Sequence, residues 1–206
     1  MQTTRNGAMS GSPKKKRLPR GQGRERILSS AAELFLKNGF EATSPQAIYA
    51  ASGVGQGSFY HHFSSKDDLA NAVLEITVEE KTAELNHITS TIPNPKERLE
   101  AYLKLPRIGT EGCKFGRFMY ETSAQKQELN KPIQGFFNEL QRFLSQNFQT
   151  AQDQGLISSD FSAEELSSIL IEQIQGGYIM SRIYQSDDFQ VNTLKRLAKQ
   201  LGLRFA

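Results

Sequence analysis

The spacing of apolar residues along this chain is helical almost throughout. From Arg24 to Asn38, residues Ile27, Leu28, Ala31, Leu34 and Phe35 recur at three- and four-residue intervals, as on one buried helix face. Gly39 closes this predicted helix, and Phe40 packs back onto it. Ala47, Ile48, Ala50 and Ala51 make a second, short helix of mostly small residues. Ser44 is its N-cap and Pro45 its first position, where proline lacks only an N–H that would be orphaned anyway. Gly53 ends it in a left-handed C′ conformation, and Val54 is the buried pivot of the turn that follows. Gly55-Gln56-Gly57-Ser58 opens a third helix with Phe59, Tyr60, His61, His62 and Phe63. A fourth runs from Lys66 to about Thr89, with Leu69, Val73, Ile76, Ala83 and Ile88 as its stripe. Ser64 and Asp67 have the spacing of a capping box at its start. Thr91-Ile92-Pro93-Asn94-Pro95 breaks it.

The remainder reads as helices too. One spans Lys96 to Leu105 and stops at Pro106, a loop covers Arg107 to Gly112, and a further helix is predicted over Cys113 to Ala124. A long helix follows from Leu129 to Gln154 and ends at Gly155. Ser162-Ala163-Glu164-Glu165 is a capping box for another, reaching about Tyr184. Val191, Leu194, Ala198 and Leu201 mark the last. No strand alternation, internal repeat or Gly-rich phosphate loop interrupts the pattern, so the expected fold class is all-α.

Two short helices across a tight turn, with a helix before and a long one after, outline a helix-turn-helix whose second helix enters a DNA major groove. The residue types suit that role. Gln56 and Ser58 stand at the end of the second helix that meets base edges, and Gln can pair two-point with adenine. Gly57 lets a backbone or base come close. Tyr60, His61 and His62 supply neutral phosphate donors. Lys66 is a misplaced charge, since a cation is disfavoured at a helix N-terminus, and a phosphate there would remove the conflict.

The run Gly39-Phe40, Thr43, Ile48, Ser52-Gly53-Val54, Gly57-Ser58-Phe59-Tyr60-His61-His62-Phe63, Lys66, Leu69 resembles the DNA-binding signature of the TetR family of bacterial repressors. The likeness spans Arg24 to about Leu74. Tyr49 stands where the family usually has Ala, and Gly55 where it often has Ser. The resemblance implies an N-terminal three-helix DNA-binding unit followed by a larger helical body that binds a small effector and dimerises. Expected boundaries are a basic disordered arm over 1–22, the DNA-binding unit over 23–70 and the body over 71–206. The candidate DNA-facing set is Ser44, Pro45, Gln46, Gly55, Gln56, Gly57, Ser58, Tyr60, His61, His62 and Lys66.

Charge sharpens this picture. Residues 1–26 hold eight basic side chains against Glu25 alone, a net of +7, whereas the whole chain carries +3, leaving −4 for the rest. A basic arm on a mildly acidic body points to nucleic acid. The single Cys excludes an internal disulfide and suits a reducing cytoplasm. No apolar stretch is long enough for a membrane span. No nucleophile–base pair, carboxylate dyad or cofactor loop suggests an enzyme or a cofactor. His61 and His62 are helical neighbours about 100° apart, a poor metal pair.

In the body, Phe115, Phe118, Tyr120, Phe136, Phe137, Phe143 and Phe148 crowd together with Met119. A core of Phe-rich helices accounts for most of them; the alternative is the wall of an apolar cavity. The resemblance favours a cavity, for which Tyr102, Phe118, Met119, Phe137 and Tyr178 are the candidate lining. Cys113 is either a small buried apolar residue or, at a helix start beside Lys114 and Arg117, a thiolate-prone sensor of electrophiles or oxidants. The last two helices, through Leu166 to Tyr178 with Gly176-Gly177 and through Val191, Leu194, Ala198 and Leu201, are the expected homodimer interface. The functional expectation is a repressor released from a palindromic operator by an apolar or aromatic effector. A thiol-based sensor acting through Cys113 and a constitutive DNA binder are the alternatives. The fourth helix is the expected transmitter between effector and DNA.

Overall fold

The computed structural model describes residues 22–119, 121, 126–158 and 160–205, without the side chain of Arg117. These residues form nine helices and no strand: α1 (Gln22–Asn38), α2 (Pro45–Ser52), α3 (Gln56–His62), α4 (Lys66–Thr91), α5 (Pro95–Lys104), α6 (Gly116–Met119), α7 (Gln127–Asp153), α8 (Ala163–Tyr184) and α9 (Asp188–Gln200). The all-α reading holds. The predicted basic arm, apart from Gln22, and Tyr120 lie outside the described residues.

The first three helices wrap around Ile27, Ala31, Phe35, Ile48, Phe59 and Phe63, all almost fully buried. Local signals act where the sequence puts them. Ser44 Oγ accepts a hydrogen bond from the Ala47 N–H at 3.2 Å. Gly53 takes φ +67° and donates its N–H to the Tyr49 carbonyl, a left-handed cap that strains any side chain. At α4 the cap sits one residue later than predicted. Ser65 is the N-cap and accepts from the Asp68 N–H, while the Asp68 carboxylate accepts from the backbone N–H and the hydroxyl of Ser64. Within α4, Ala83 faces solvent and Leu85 is the buried residue.

Helix α4 runs from this head into the body, where α5, α7, α8 and α9 pack around Leu99, Leu103, Leu144, Phe148 and Leu170. The capping box before α8 is complete: Ser162 Oγ accepts from the Glu165 N–H, and Glu165 accepts from the Ser162 N–H at 2.8 Å.

Two expectations need correction. The helix predicted over Cys113 to Ala124 is only the four residues of α6, and 120 and 122–125 lie outside the described residues. The aromatic spacing that mimicked a helix face serves two separate contacts. Phe115 packs on Phe136 and Phe137, with ring centroids 4.9 and 6.0 Å away, and Phe118 packs on Phe35 and Phe40 at 5.7 and 5.8 Å. The predicted dimer face is also misassigned. Leu166, Leu170, Ile174, Leu194 and Ala198 are buried in this chain's own core. The apolar side chains that α8 and α9 leave exposed are Ile179, Met180, Ile183, Tyr184 and Val191. A Cβ at Gly177 would meet the end of the Gln190 side chain, which would have to shift, whereas Gly176 faces open space.

Candidate functional site

The outer surface of the head is set by what its inner surface buries. Phe59 and Phe63 anchor α3, and their helical spacing turns Gln56, Gly57, Ser58, Tyr60 and His61 outward, all exposed. His62 is half-buried, its ring near Gly23 of α1. A Cβ at Gly55 or Gly57 would meet nothing within 4 Å, so nothing inside the chain requires glycine at either position. Ser44 and Gln46 of the α2 entrance are exposed on the same unit, and Pro45 is half-buried beside them. Tyr49 packs edge-on against Phe59 at 5.1 Å. Burial raises its pKa, and a hydrogen bond with the Tyr60 hydroxyl raises it further.

Arg24 and Arg26, counted with the basic arm in the sequence, stand on α1 beside α3. The Arg24 guanidinium lies 5.5 Å from the centre of the Phe63 ring, and that of Arg26 reaches the helix-turn-helix turn at Gly53. Their bracketing of α3 is a tertiary fact with no sequence signal beyond charge.

Lys66 does something other than what its position suggested. Its ammonium donates to the carbonyls of Phe40 at 2.9 Å, Thr43 at 3.2 Å and Glu41 at 3.4 Å, and lies 4.2 Å from the centre of the Phe40 ring. Burial lowers its pKa. The cation therefore caps the carbonyls of the α1–α2 loop. The conflict with the α4 N-terminus is resolved inside the protein, without a phosphate.

In the body, a cavity of about 340 Å³ opens between α4, α5, α7, α8 and the segment before α6. Tyr102, Phe137, Tyr178 and Cys113 line it together, with Phe115, Phe136, Ile174 and Gln175. Two predicted lining residues lie elsewhere: Phe118 is buried against the head, and Met119 is 37% exposed outside this cavity. Arg107 closes one side, donating to the carbonyls of Tyr102, Leu103 and Leu105 and lying 4.9 Å from the Tyr102 ring centre. Burial raises the phenol pKa of both Tyr102 and Tyr178, against a smaller lowering by Arg107, so both hydroxyls are neutral donors.

Cys113 is half-buried and does not begin a helix; α6 starts three residues later. Burial pushes its thiol pKa up, outweighing hydrogen bonds from Gly116, Phe115 and Gln175. Lys114 turns to Glu80, 3.6 Å away, on the surface. The helix-start argument for a thiolate therefore fails. Among the described residues no group of three His, Cys, Asp or Glu could hold a metal ion, and no helix is long and apolar enough to cross a membrane.

One short stretch ties the cavity to the head. Cys113 and Phe115 are in the cavity wall, and Phe118 lies against Phe35 and Phe40. Beyond α6, the Glu121 carboxylate accepts the Glu41 N–H at 2.7 Å and fills the space over Gly39. Lys126 pairs with Asp67 at the start of α4, at 2.8 Å.

Comparison with known proteins places this architecture. Residues 27–73 match the family model described as bacterial regulatory proteins of the tetR family, and residues 96–196 match the tetracyclin repressor-like C-terminal domain. An HTH-type transcriptional regulator in the lacX 3′ region of Lactococcus lactis subsp. lactis is 28% identical over 170 residues, covering 79% of this chain and 84% of its own. The HTH-type transcriptional repressor DhaR of Mycobacterium sp. strain GP1 is 26% identical over 164 residues, covering 78% and 82%. Among solved structures, the regulatory protein TetR from Rhodobacter sphaeroides superposes with a TM-score of 0.77 at 21% identity, covering 88% of this chain and all of that one. The reduced form of NemR from E. coli does so at 0.73 and 21%, covering 87% and 98%. These structural likenesses establish the fold. The relatives are transcriptional regulators, not enzymes. With the head, the body and both family models in agreement, the chain belongs to the TetR family of helix-turn-helix transcriptional regulators.

Proposed function

We propose that this protein is a homodimeric, sequence-specific repressor of the bacterial cytoplasm, released from a palindromic operator when an apolar or aromatic molecule fills the cavity of the body. In this reading α3 reads bases through Gln56 and Ser58, and Gly55 and Gly57 leave room for DNA to approach. Ser44, Pro45, Gln46, Tyr60, His61 and His62 contact the backbone, with Arg24 and Arg26 replacing Lys66 as the nearby cations. The unit boundaries near residues 23 and 70 fit a head that ends within α4. The exposed apolar face of α8 and α9 supplies the dimer contact, which sets two reading heads on a two-fold axis.

The observation that carries the release step is the shared segment. Cys113 and Phe115 line the cavity, and Phe118 and Glu121 hold the head. A ligand that pushes Phe115 outward moves the head's anchor with it. Such a ligand shifts the protein only to the extent that it binds the displaced state more tightly. The transmitter is then the α6 segment acting with α4, not α4 alone. An effector carrying an electrophilic centre would meet Cys113 in the same cavity, but its raised pKa leaves little thiolate at neutral pH.

Selection of bound sequences from random duplex DNA tests the first half and is expected to return an inverted repeat. Titration of that complex with apolar and aromatic compounds tests the second. Selection without a preferred sequence would leave only a constitutive binder.

A further inference from the structure

We propose a second ligand site, in the groove where α1 of the head faces α4, for a lipophilic organic cation. The groove has a volume of about 420 Å³. Its walls are two helical stripes. Glu25, Leu28, Ser29, Ala32, Glu33 and Leu36 share one face of α1, each three or four residues from another of the set. Val73, Ile76, Thr77 and Glu80 do the same along α4. Phe118 and Lys114 stand at its edge, from the segment that reaches the other cavity.

The chemistry of the occupant follows from what the groove combines. Its floor is apolar: Leu28, Val73, Leu74 and Phe118 are buried there, and Leu36 and Ile76 are half-buried. Its rim is acidic. Glu25 and Glu33 are eight residues apart on one helix, about 12 Å along the axis, and bracket the apolar stretch. Glu80 faces them from α4. Lys114 is the one cation in the lining, and it lies 3.6 Å from Glu80. Among the described residues neither Glu25 nor Glu33 has an ion-pair partner. Carboxylates with no ion-pair partner among the described residues, over an apolar floor, favour a molecule that buries hydrocarbon and presents positive charge to the rim. They repel an anion of the same shape. The Cys113 cavity has a mixed lining instead, with Lys81, Arg107 and Lys114 beside Glu84 and Glu111 and two neutral phenols.

The position gives such binding a consequence. The groove touches α1 of the head, α4 across the joint and the α6 segment of the body. An occupant would bridge the parts whose relative placement sets the spacing of the two reading heads. The groove adjoins the effector cavity, since Leu36 and Lys114 border both, but its failure would leave the repressor reading untouched.

Tetraphenylphosphonium and tetraphenylborate, equal in shape and opposite in charge, test this directly by calorimetric titration of the full chain. The phosphonium is expected to bind at least about tenfold more tightly, the size of one modest charge contact. The combined variant E25Q, E33Q and E80Q changes only exposed side chains and should abolish that preference. Ala32→Trp, at an exposed position in the groove, should block the phosphonium, while Phe137→Trp in the other cavity should not. Equal affinity for the two ions overturns the proposal. So does phosphonium binding that survives both the Gln variant and Ala32→Trp.

Discussion

In the head, Phe35, Phe59 and Phe63 are buried to within 2% and the outer face of α3 is polar and open. In the body, Phe115, Phe136 and Phe137 are just as close to one another, yet they border about 340 Å³ of unfilled space. Aromatic density is the same in both; the head's own groove, between α1 and α4, borders Phe35 but not the two rings beneath α3. A reading surface must hold its side chains at fixed spacing, so its core is filled. A responsive domain needs a second packing of similar energy, and unfilled volume beside a short, weakly formed helix provides one. A left-handed turn at Gly112, φ +85°, precedes α6 and delays its start to Gly116.

Truncation should expose this difference most strongly. Phe59→Ala removes a fully buried ring from the smaller core and is expected to cost about 3–5 kcal/mol. Phe137→Ala removes a half-buried ring beside existing space and should cost well under that. Urea titration followed by circular dichroism checks both. Equal losses would mean that the cavity is closed in solution and that the comparison fails.

The two faces of α8 sharpen the same contrast. Ile174→Glu places an unpaired charge in the core and should destabilise the fold by about 3–5 kcal/mol. Ile183, 63% exposed, should accept Glu without loss of fold, yet yield monomers in sedimentation. A folded Ile183→Glu dimer would move the interface elsewhere.

How much of this was legible in the sequence depends on whether a signal was local. The caps at Ser44, Gly53 and Ser162, the helix-turn-helix and the long helices rest on neighbours within four residues, and they fell where periodicity and capping chemistry put them. The Cys113–Ala124 helix failed because Phe115 and Phe118 satisfy partners on different elements. Lys66 failed because its three carbonyl acceptors are 23 to 26 residues away. The dimer face failed for a related reason. Periodicity finds the most apolar stripe of a helix, and that stripe belongs to the chain's own core. The second, patchier stripe of Ile179, Met180 and Ile183 is the one left exposed, and in the proposed dimer it is the face that meets the partner. Tyr102, Phe137 and Tyr178 were found as cavity residues, but composition could not separate them from Phe118 and Met119, and it did not place Cys113 in the same cavity.

At the DNA surface three substitutions separate reading, anchoring and folding. Lys66→Ala leaves carbonyls without their donor and should cost about 1–3 kcal/mol of stability, with no change in the salt dependence of DNA binding. Gln56→Ala should cost about 1–3 kcal/mol at one base pair and leave stability alone. Arg26→Ala should weaken all sequences alike and lower the salt slope by about one unit. A fall in salt slope for Lys66→Ala would return that residue to the phosphate-contacting set.

The smallest effect is expected at Cys113, and its direction is informative. Burial raises the thiol pKa. The folded protein therefore holds the proton more tightly than the unfolded chain, and less thiolate is present near neutral pH. Alkylation by iodoacetamide should be slower in the native protein than in urea, and the native rate should keep rising with pH past the ordinary thiol range. Cys113→Ser changes little in shape, so a noncovalent effector should still release DNA from the variant at nearly the same concentration. The opposite result, release of the wild type alone by a mild alkylating agent at neutral pH, would require a thiolate that this setting does not favour, because burial outweighs the nearby Lys81 charge. Comparison of native and unfolded alkylation rates across pH decides between the two, because only a lowered pKa makes the native rate level off early.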